Sequence, residues 1–205
     1  DAGIVKFNYD GSVAWAKNFG GTSWDYLSAV SATSDGFVAV GEAGRYDGDW
    51  AEAGATDVGF PSAGIVEFSK DGEAVRAANY GSAYGDFNSV VQAPGGFIAS
   101  GTAPDYNNDK YDATLVKFNN DLTIAWERKL DGMSLSSVAR TSNDFAAVMV
   151  DKDGSGVVTF NNNGEMGLTE DSGLSMWLWV GIAAILVIVL VAATVVLNRR
   201  RTKTY

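Results

Sequence analysis

The chain of 205 residues contains no cysteine and no histidine, and it has only three prolines. The absence of cysteine excludes a disulfide framework, a thiolate metal site and a cysteine nucleophile. The absence of histidine removes the commonest general base and the commonest metal ligand. Because most familiar catalytic centres need one of these two residue types, we expect a protein that is not an enzyme.

Charge is distributed unevenly along the chain. All 25 acidic residues precede position 172, whereas four of the 15 basic residues, Arg199, Arg200, Arg201 and Lys203, lie at the C-terminus. The remainder of the chain therefore carries 11 basic against 25 acidic side chains, a net charge of −14. Since such a body repels phosphate backbones, nucleic acid is not an expected partner.

A long apolar segment precedes the basic cluster. Residues 176–197 form an uncharged run of 22 residues, which as a helix at ~1.5 Å per residue reaches roughly 33 Å. Trp177 and Trp179 stand at one edge, where indole rings favour the headgroup region, and the arginines stand at the other. The pattern predicts a single-pass membrane helix that binds lipid, with a cytoplasmic tail at 198–205 and the body, 1–167, outside.

The layout of a polar linker at 168–175, an apolar helix and a terminal Arg/Lys cluster resembles the C-terminal sorting tails of Gram-positive cell-wall proteins. Those tails carry an LPxTG-type pentapeptide, whereas residues 168–173 have neither the proline nor the Thr-Gly pair. We therefore expect the tail to remain in the membrane as an anchor. An exported body also requires a signal, so we expect further sequence upstream of Asp1.

The body contains an internal repeat. The segment DAGIVKFN at 1–8 recurs as SAGIVEFS at 62–69, as DATLVKFN at 112–119 and, in part, as VVTFN at 157–161. Units starting near residues 1, 62, 112 and 155 thus have about 40 residues each plus insertions of variable length.

Each unit contains four short runs rich in Val, Phe and Ala, none with helical spacing, so we expect four antiparallel strands. The first run ends in a turn at Asp10-Gly11, Asp71-Gly72, Asp121-Leu122 and Asn163-Gly164, and the Asp-Gly and Asn-Gly pairs supply the positive φ values of a tight hairpin. Trp15, Arg76 and Trp126 share one position of the second run, and Ser28, Ser89 and Ser137 are aligned in the third.

This pattern resembles bacterial cell-surface repeat families that read D-A-x-[IV]-V-K-F-[DN]-x-[DN]-G, with later Trp and Gly-Phe positions, and that are expected to fold as β-propeller-like arrays. The resemblance implies an all-β fold of four-stranded blades and a surface location, but no shared chemistry. Closed propellers need at least four blades, and the chain has three units plus part of a fourth. We therefore interpret it as the C-terminal portion of a larger propeller, with an open or self-associating array as the alternatives.

Aromatic residues at equivalent repeat positions are expected to form the core between blades. They are Phe7, Phe68, Phe118, Phe160, Trp15 and Trp126.

Two insertions interrupt the repeat, at 44–61 and 104–112, each after a fourth run. Both mix aromatic residues with acids, which suits stacking on a sugar ring and hydrogen bonding to its hydroxyls, or pairing with a basic protein. The alternative is a solvated connection without a partner. The candidate ligand-binding residues, expected to be exposed, are Tyr46, Asp47, Asp49, Trp50, Tyr106, Asp109, Tyr111 and Asp112.

One segment is similar to the first half of a calcium-binding loop. Asp151 and Asp153 alternate with Lys152 ahead of a glycine, but the distal ligands of an EF-hand are absent at the required spacing. The pattern suggests calcium as a cofactor bound by these two residues, and no other cofactor is expected.

These observations together predict a membrane-anchored surface protein that binds an extracellular glycan or protein through its loops. A non-catalytic scaffold of the cell envelope is the first alternative. A fragment of a carbohydrate-active enzyme, with paired carboxylates in further blades, is the second.

Overall fold

A computed structural model describes residues 1–83, 85–105, 110–151 and 154–167. The body is all-β, as predicted, and these described residues contain a single one-turn helix, α1 (Asp49–Glu52). The predicted linker, membrane helix and tail, with Trp177, Trp179 and the three arginines, lie outside the described residues. Within the described ranges, no helix is long and apolar enough to cross a membrane.

Fourteen strands make up the described body. They are β1 (Ala2–Phe7), β2 (Val13–Phe19), β3 (Asp25–Ala32), β4 (Gly36–Ala43), β5 (Ser62–Ser69), β6 (Ala74–Ala83), β7 (Asp86–Ala93), β8 (Gly96–Asp105), β9 (Lys110–Asn119), β10 (Ile124–Leu130), β11 (Ser134–Arg140), β12 (Phe145–Asp151), β13 (Gly154–Phe160) and β14 (Met166–Gly167).

The strands form four antiparallel sheets. Sheet A has the order β1-β2, sheet B β3-β4-β5-β6, sheet C β7-β8-β9-β10 and sheet D β11-β12-β13-β14. Each four-stranded sheet joins the third and fourth runs of one repeat unit to the first and second runs of the next. This differs from the expectation that one unit makes one sheet, because the fourth run pairs with the following first run while the second-to-third connection passes to a new sheet.

The first-run turns have the expected conformation. Gly11, Gly72 and Gly164 have φ values of 84°, 78° and 73°, and Leu122 has a φ of 63°. Leu122 is the one non-glycine residue with positive φ in the described chain. The Asp-Gly, Asn-Gly and Asp-Leu pairs thus predicted four turns correctly.

Successive sheets pack face to face through their third-run and fourth-run strands. β3 and β4 of sheet B lie on β7 of sheet C, and β7 and β8 of sheet C lie on β11 of sheet D. Buried apolar clusters fill the space between sheets B and C and between sheets C and D. The third-run strands therefore form the main contacts between sheets.

A β-bulge recurs at one position of each third-run strand. The additional residue is Ser28 in β3, Asn88 in β7 and Ser136 in β11. The expected alignment of Ser28 with Ser89 and Ser137 is wrong by one residue in the first unit, because the bulge places Ala29 opposite their position. The bulge residue donates to the next sheet: Ser28 Oγ to the Phe87 carbonyl, and Asn88 Nδ2 to the Leu135 carbonyl at 2.6 Å.

The aromatic positions of the repeat are buried with one exception. Phe68, Phe118 and Phe160 are core residues, as expected, and the Trp15 and Trp126 rings are half-buried against the next sheet. Phe7 is 62% exposed, which contradicts the expectation. The reason is that, in the described chain, β1 has neither a sheet over its outer face nor a strand on its second edge.

Candidate functional site

The first insertion folds back into the body. The expectation that Tyr46 and Trp50 are exposed is wrong, because both side chains are fully buried. Trp50 packs edge-on against Phe19 at 4.7 Å between ring centroids, and the Tyr46 hydroxyl donates to the Ser62 carbonyl at 2.7 Å. Neither ring offers a surface to a ligand.

The acids of this insertion bind the protein's own backbone. Asp49 Oδ2 accepts from the Gly20 amide at 3.0 Å, and Asp47 Oδ1 accepts from the Thr22 amide at 2.7 Å. Asp25, whose side chain is buried, accepts from the Gly21 amide at 2.9 Å and from Trp50 Nε1 at 3.1 Å. Asp47, Asp49 and Trp50 therefore hold the insertion against the β2–β3 connection. The Tyr46 ring packs edge-on against Trp50.

The second insertion is mostly strand. β8 extends to Asp105 and β9 begins at Lys110, so only 106–109 lie between them. Tyr106 and Asp109 lie outside the described residues, and Tyr111 is described only through its backbone pairing with Pro104. Asp112 is buried and accepts from the Gly132 amide at 3.1 Å, so it is not an exposed ligand residue.

The predicted calcium segment begins at the end of β12, Asp151, and continues into the start of β13, Gly154. Asp151 pairs with Gly154 across the ladder, and its Oδ1 accepts from the Gly154 amide at 3.0 Å. Asp153 lies outside the described residues. In the described part of the chain, no three Asp or Glu side chains are grouped as a metal site would need.

An exposed aromatic pair lies at the base of the first insertion. The Trp24 and Tyr26 rings stack at 6.1 Å between centroids with an interplanar angle of 14°, and the two residues are 49% and 41% exposed. The Tyr26 hydroxyl donates to Glu42 Oε2 at 2.7 Å. We call Trp24, Tyr26 and Glu42 the aromatic platform.

The aromatic platform presents a hydrogen-bond acceptor, the Glu42 carboxylate, to a ligand at its edge. Partial burial and the hydrogen bond to Glu42 raise the pKa of the Tyr26 hydroxyl far above its ordinary value of 10, so this group stays protonated. Partial burial, opposed by the Tyr26 hydrogen bond, raises the pKa of Glu42, and the nearby Asp86 carboxylate adds to the rise. A Glu42 carboxylate with one oxygen engaged by Tyr26 can accept from a ligand donor through the other.

The backbone fixes the platform in place. The Trp24 carbonyl accepts from the Gly44 amide at 2.7 Å, which continues the β3–β4 pairing into the insertion. By the strand register, the counterparts of Tyr26 are Asp86 and Ser134, so the aromatic residue departs from the repeat. Sequence reasoning missed Trp24 and Tyr26, but this departure at an exposed position was the signal that could have indicated them.

No protein-family model matches the chain, and no curated protein is significantly similar to it.

Proposed function

We propose that the chain is a membrane-anchored binding protein of the cell surface, and that its sheets are the blades of a β-propeller-like body. Support for the blades comes from the face-to-face packing of successive four-stranded sheets and from their recurring bulge. Support for the anchor comes from the apolar run at 176–197 and the basic residues after it.

The single observation that carries the binding function is the aromatic platform. The two rings are stacked on one another and each is about half-exposed, so the pair offers an aromatic surface of the kind that stacks on the C–H face of a sugar ring. The Glu42 carboxylate beside them accepts hydrogen bonds, as sugar hydroxyls require. We therefore propose a neutral or basic glycan as the ligand, since the net charge of −14 on the residues before Arg199 disfavours acidic ones.

The test is glycan-array screening of the full chain in detergent micelles, followed by calorimetric titration of any ligand found. We expect Trp24→Ala to weaken binding at least tenfold, because it removes the more exposed ring of the stacked pair. Glu42→Gln, which keeps the shape and removes the charge, should weaken binding less.

Tyr9→Ala is the matched control, because Tyr9 is also an exposed aromatic residue but lies in the β1–β2 turn. Equal losses in Trp24→Ala and Tyr9→Ala would contradict the proposed site. Ligand affinity that survives Trp24→Ala would also contradict it.

A further inference from the structure

A cleft of about 590 Å³ lies between β1 and the inner strands of sheet B. Its walls are mainly apolar, and they include Ile4, Phe7, Trp15, Leu27, Val30 and Phe37. In the described chain, β1 pairs with β2 on one edge, and its other edge borders this cleft. The cleft therefore combines an apolar wall with a line of backbone donors and acceptors.

The internal repeat indicates what fills the corresponding space elsewhere in the body. β5, β9 and β13 are the counterparts of β1, and each pairs on its second edge with a fourth-run strand, β4, β8 or β12. The register is the same each time, with a fourth-run phenylalanine opposite the first-run one: Phe37 and Phe68, Phe97 and Phe118, Phe145 and Phe160. Phe7 is the first-run phenylalanine without such a partner in the described chain.

The third-run strands of the three sheets differ in burial, and this difference indicates that a second strand belongs beside the one that would pair with β1. Val90 and Val138 are 7% and 6% exposed, because the inner strands of the preceding sheet cover them. Their counterpart Val30 is 65% exposed. On the same face of sheet B, Val66 and Phe68 in β5 are buried. Sheet A thus covers the part of this face formed by β5 and leaves the part formed by β3 open. In the other sheets, third-run and fourth-run strands cover the corresponding part.

We infer that a β-hairpin of the third-run and fourth-run type docks in this cleft and adds two strands to sheet A. The fourth-run strand pairs antiparallel with β1 and sets its phenylalanine opposite Phe7. The third-run strand covers Leu27 and Val30, and its bulge residue donates to the Leu27 carbonyl, as Ser28 and Asn88 do to Phe87 and Leu135. Binding of this kind is β-strand addition, in which main-chain hydrogen bonds supply affinity and apolar pockets supply specificity.

An intact second copy is a poorer occupant than a free hairpin. In each four-stranded sheet the third-run strand already pairs with the fourth, and the fourth pairs with the following first-run strand. A second copy therefore has no third-and-fourth-run pair to offer unless one of its own sheets opens. The occupant is a hairpin from a further repeat of this pattern.

The first test uses a fluorescent peptide with the sequence of residues 86–105, which form the β7–β8 hairpin, titrated against the full chain by anisotropy. We expect saturable binding that Val30→Asp weakens at least tenfold. Val75→Asp is the matched control, because Val75 is also an exposed strand valine, on β6, and does not line the cleft. A peptide of residues 112–130, which carries first-run and second-run strands, should not bind.

The second test does not depend on the peptide folding alone. Residues 86–111 are fused ahead of Asp1, in the same relation that they have to Asp112, and hydrogen exchange is measured. We expect slower exchange of β1 amides, and Val30→Asp should cancel this protection. Unchanged exchange in the fusion, equal binding of both peptides, or a dimer of the unmodified chain that Val30→Asp dissociates would each overturn the inference.

Discussion

The guanidinium of Arg76 donates through Nη1 to the carbonyl oxygen of Asn120 at 2.8 Å, which connects sheet B to a turn of sheet C. Trp15 and Trp126 occupy the same repeat position as Arg76, and their indole nitrogens donate to the equivalent turn carbonyls of Lys70 and Asn162 at 3.2 and 3.0 Å. Two chemically different side chains therefore make one recurring hydrogen bond between sheets.

The size of the turn residue differs with the side chain that donates the hydrogen bond to that turn. The indoles of Trp15 and Trp126 lie over Gly72 and Gly164, where a Cβ atom would come within 2.7 Å of the ring. Under Arg76 the turn residue is Leu122, which is buried. Arg76→Trp should therefore force the new ring against Leu122 and lower the free energy of unfolding by about 1–3 kcal/mol.

The Arg76→Trp/Leu122→Gly double variant should recover part of this loss, since it recreates the Trp-over-glycine pair. Denaturant unfolding of both single variants, the double variant and the unmodified chain gives the coupling energy. A double variant whose loss is the sum of the two single losses would show that donor and turn residue are independent.

Local turn chemistry was readable from the sequence. The Asp-Gly and Asn-Gly pairs predicted positive φ correctly at Gly11, Gly72 and Gly164, because glycine adopts this conformation without a steric penalty. The positive φ of Leu122 was not predicted by its residue type. The all-β class and the four short strands per unit followed from the same short-range pattern. The assignment of runs to sheets did not, because it depends on which connection is a hairpin and which crosses to the next sheet.

At the candidate site, prediction from the local sequence pattern fails. Tyr46 and Trp50 looked like exposed aromatics because they lie in an insertion rich in Gly and Asp. Their burial depends on Asp25 and the Gly20-Gly21 connection, which are more than 20 residues away in sequence and adjacent only in the fold. No local periodicity encodes that contact.

The same conservative change should therefore destabilise the protein at Trp50 and leave its stability almost unchanged at Trp24. Trp50→Phe keeps most of the packing but leaves buried Asp25 without the indole donor, which should cost about 1–3 kcal/mol in unfolding free energy. Trp24→Phe, at an exposed position, should change stability by less than about 0.5 kcal/mol. Thermal and denaturant unfolding distinguish the two variants, and a similar loss in both would contradict the assignment of Trp50 to the core and Trp24 to the surface.

The bulge residue of β7 should matter more than that of β11. Asn88→Ala removes the 2.6 Å hydrogen bond to the Leu135 carbonyl between sheets C and D, which should cost about 1–2 kcal/mol. Ser136 donates at 3.5 Å within its own sheet, to Val148, so Ser136→Ala should be close to neutral. Unfolding free energies of the two variants provide the comparison, and equal costs would mean that the bond between sheets adds nothing.

Lys117 gives the protein a pH-dependent stability. It is buried on β9 and donates to the Pro94 carbonyl at 2.8 Å. Burial, assisted by the nearby Arg140 charge, lowers the pKa of its ammonium from 10.5 to about 8. Between these two values the unfolded chain keeps the proton that the folded chain has released, so the contribution of Lys117 to stability becomes more favourable as pH rises through this window.

Lys117→Met removes the titration and keeps the length of the side chain. Relative to this variant, the unmodified chain should gain unfolding free energy from pH 8 to pH 10, whereas the difference should be constant below about pH 7. Titrations of the other groups cancel in the comparison because both chains share them. A difference that stays flat across pH 8 to 10 would mean that Lys117 keeps its ordinary pKa in the folded protein, and its burial would then be compensated by the Pro94 carbonyl alone.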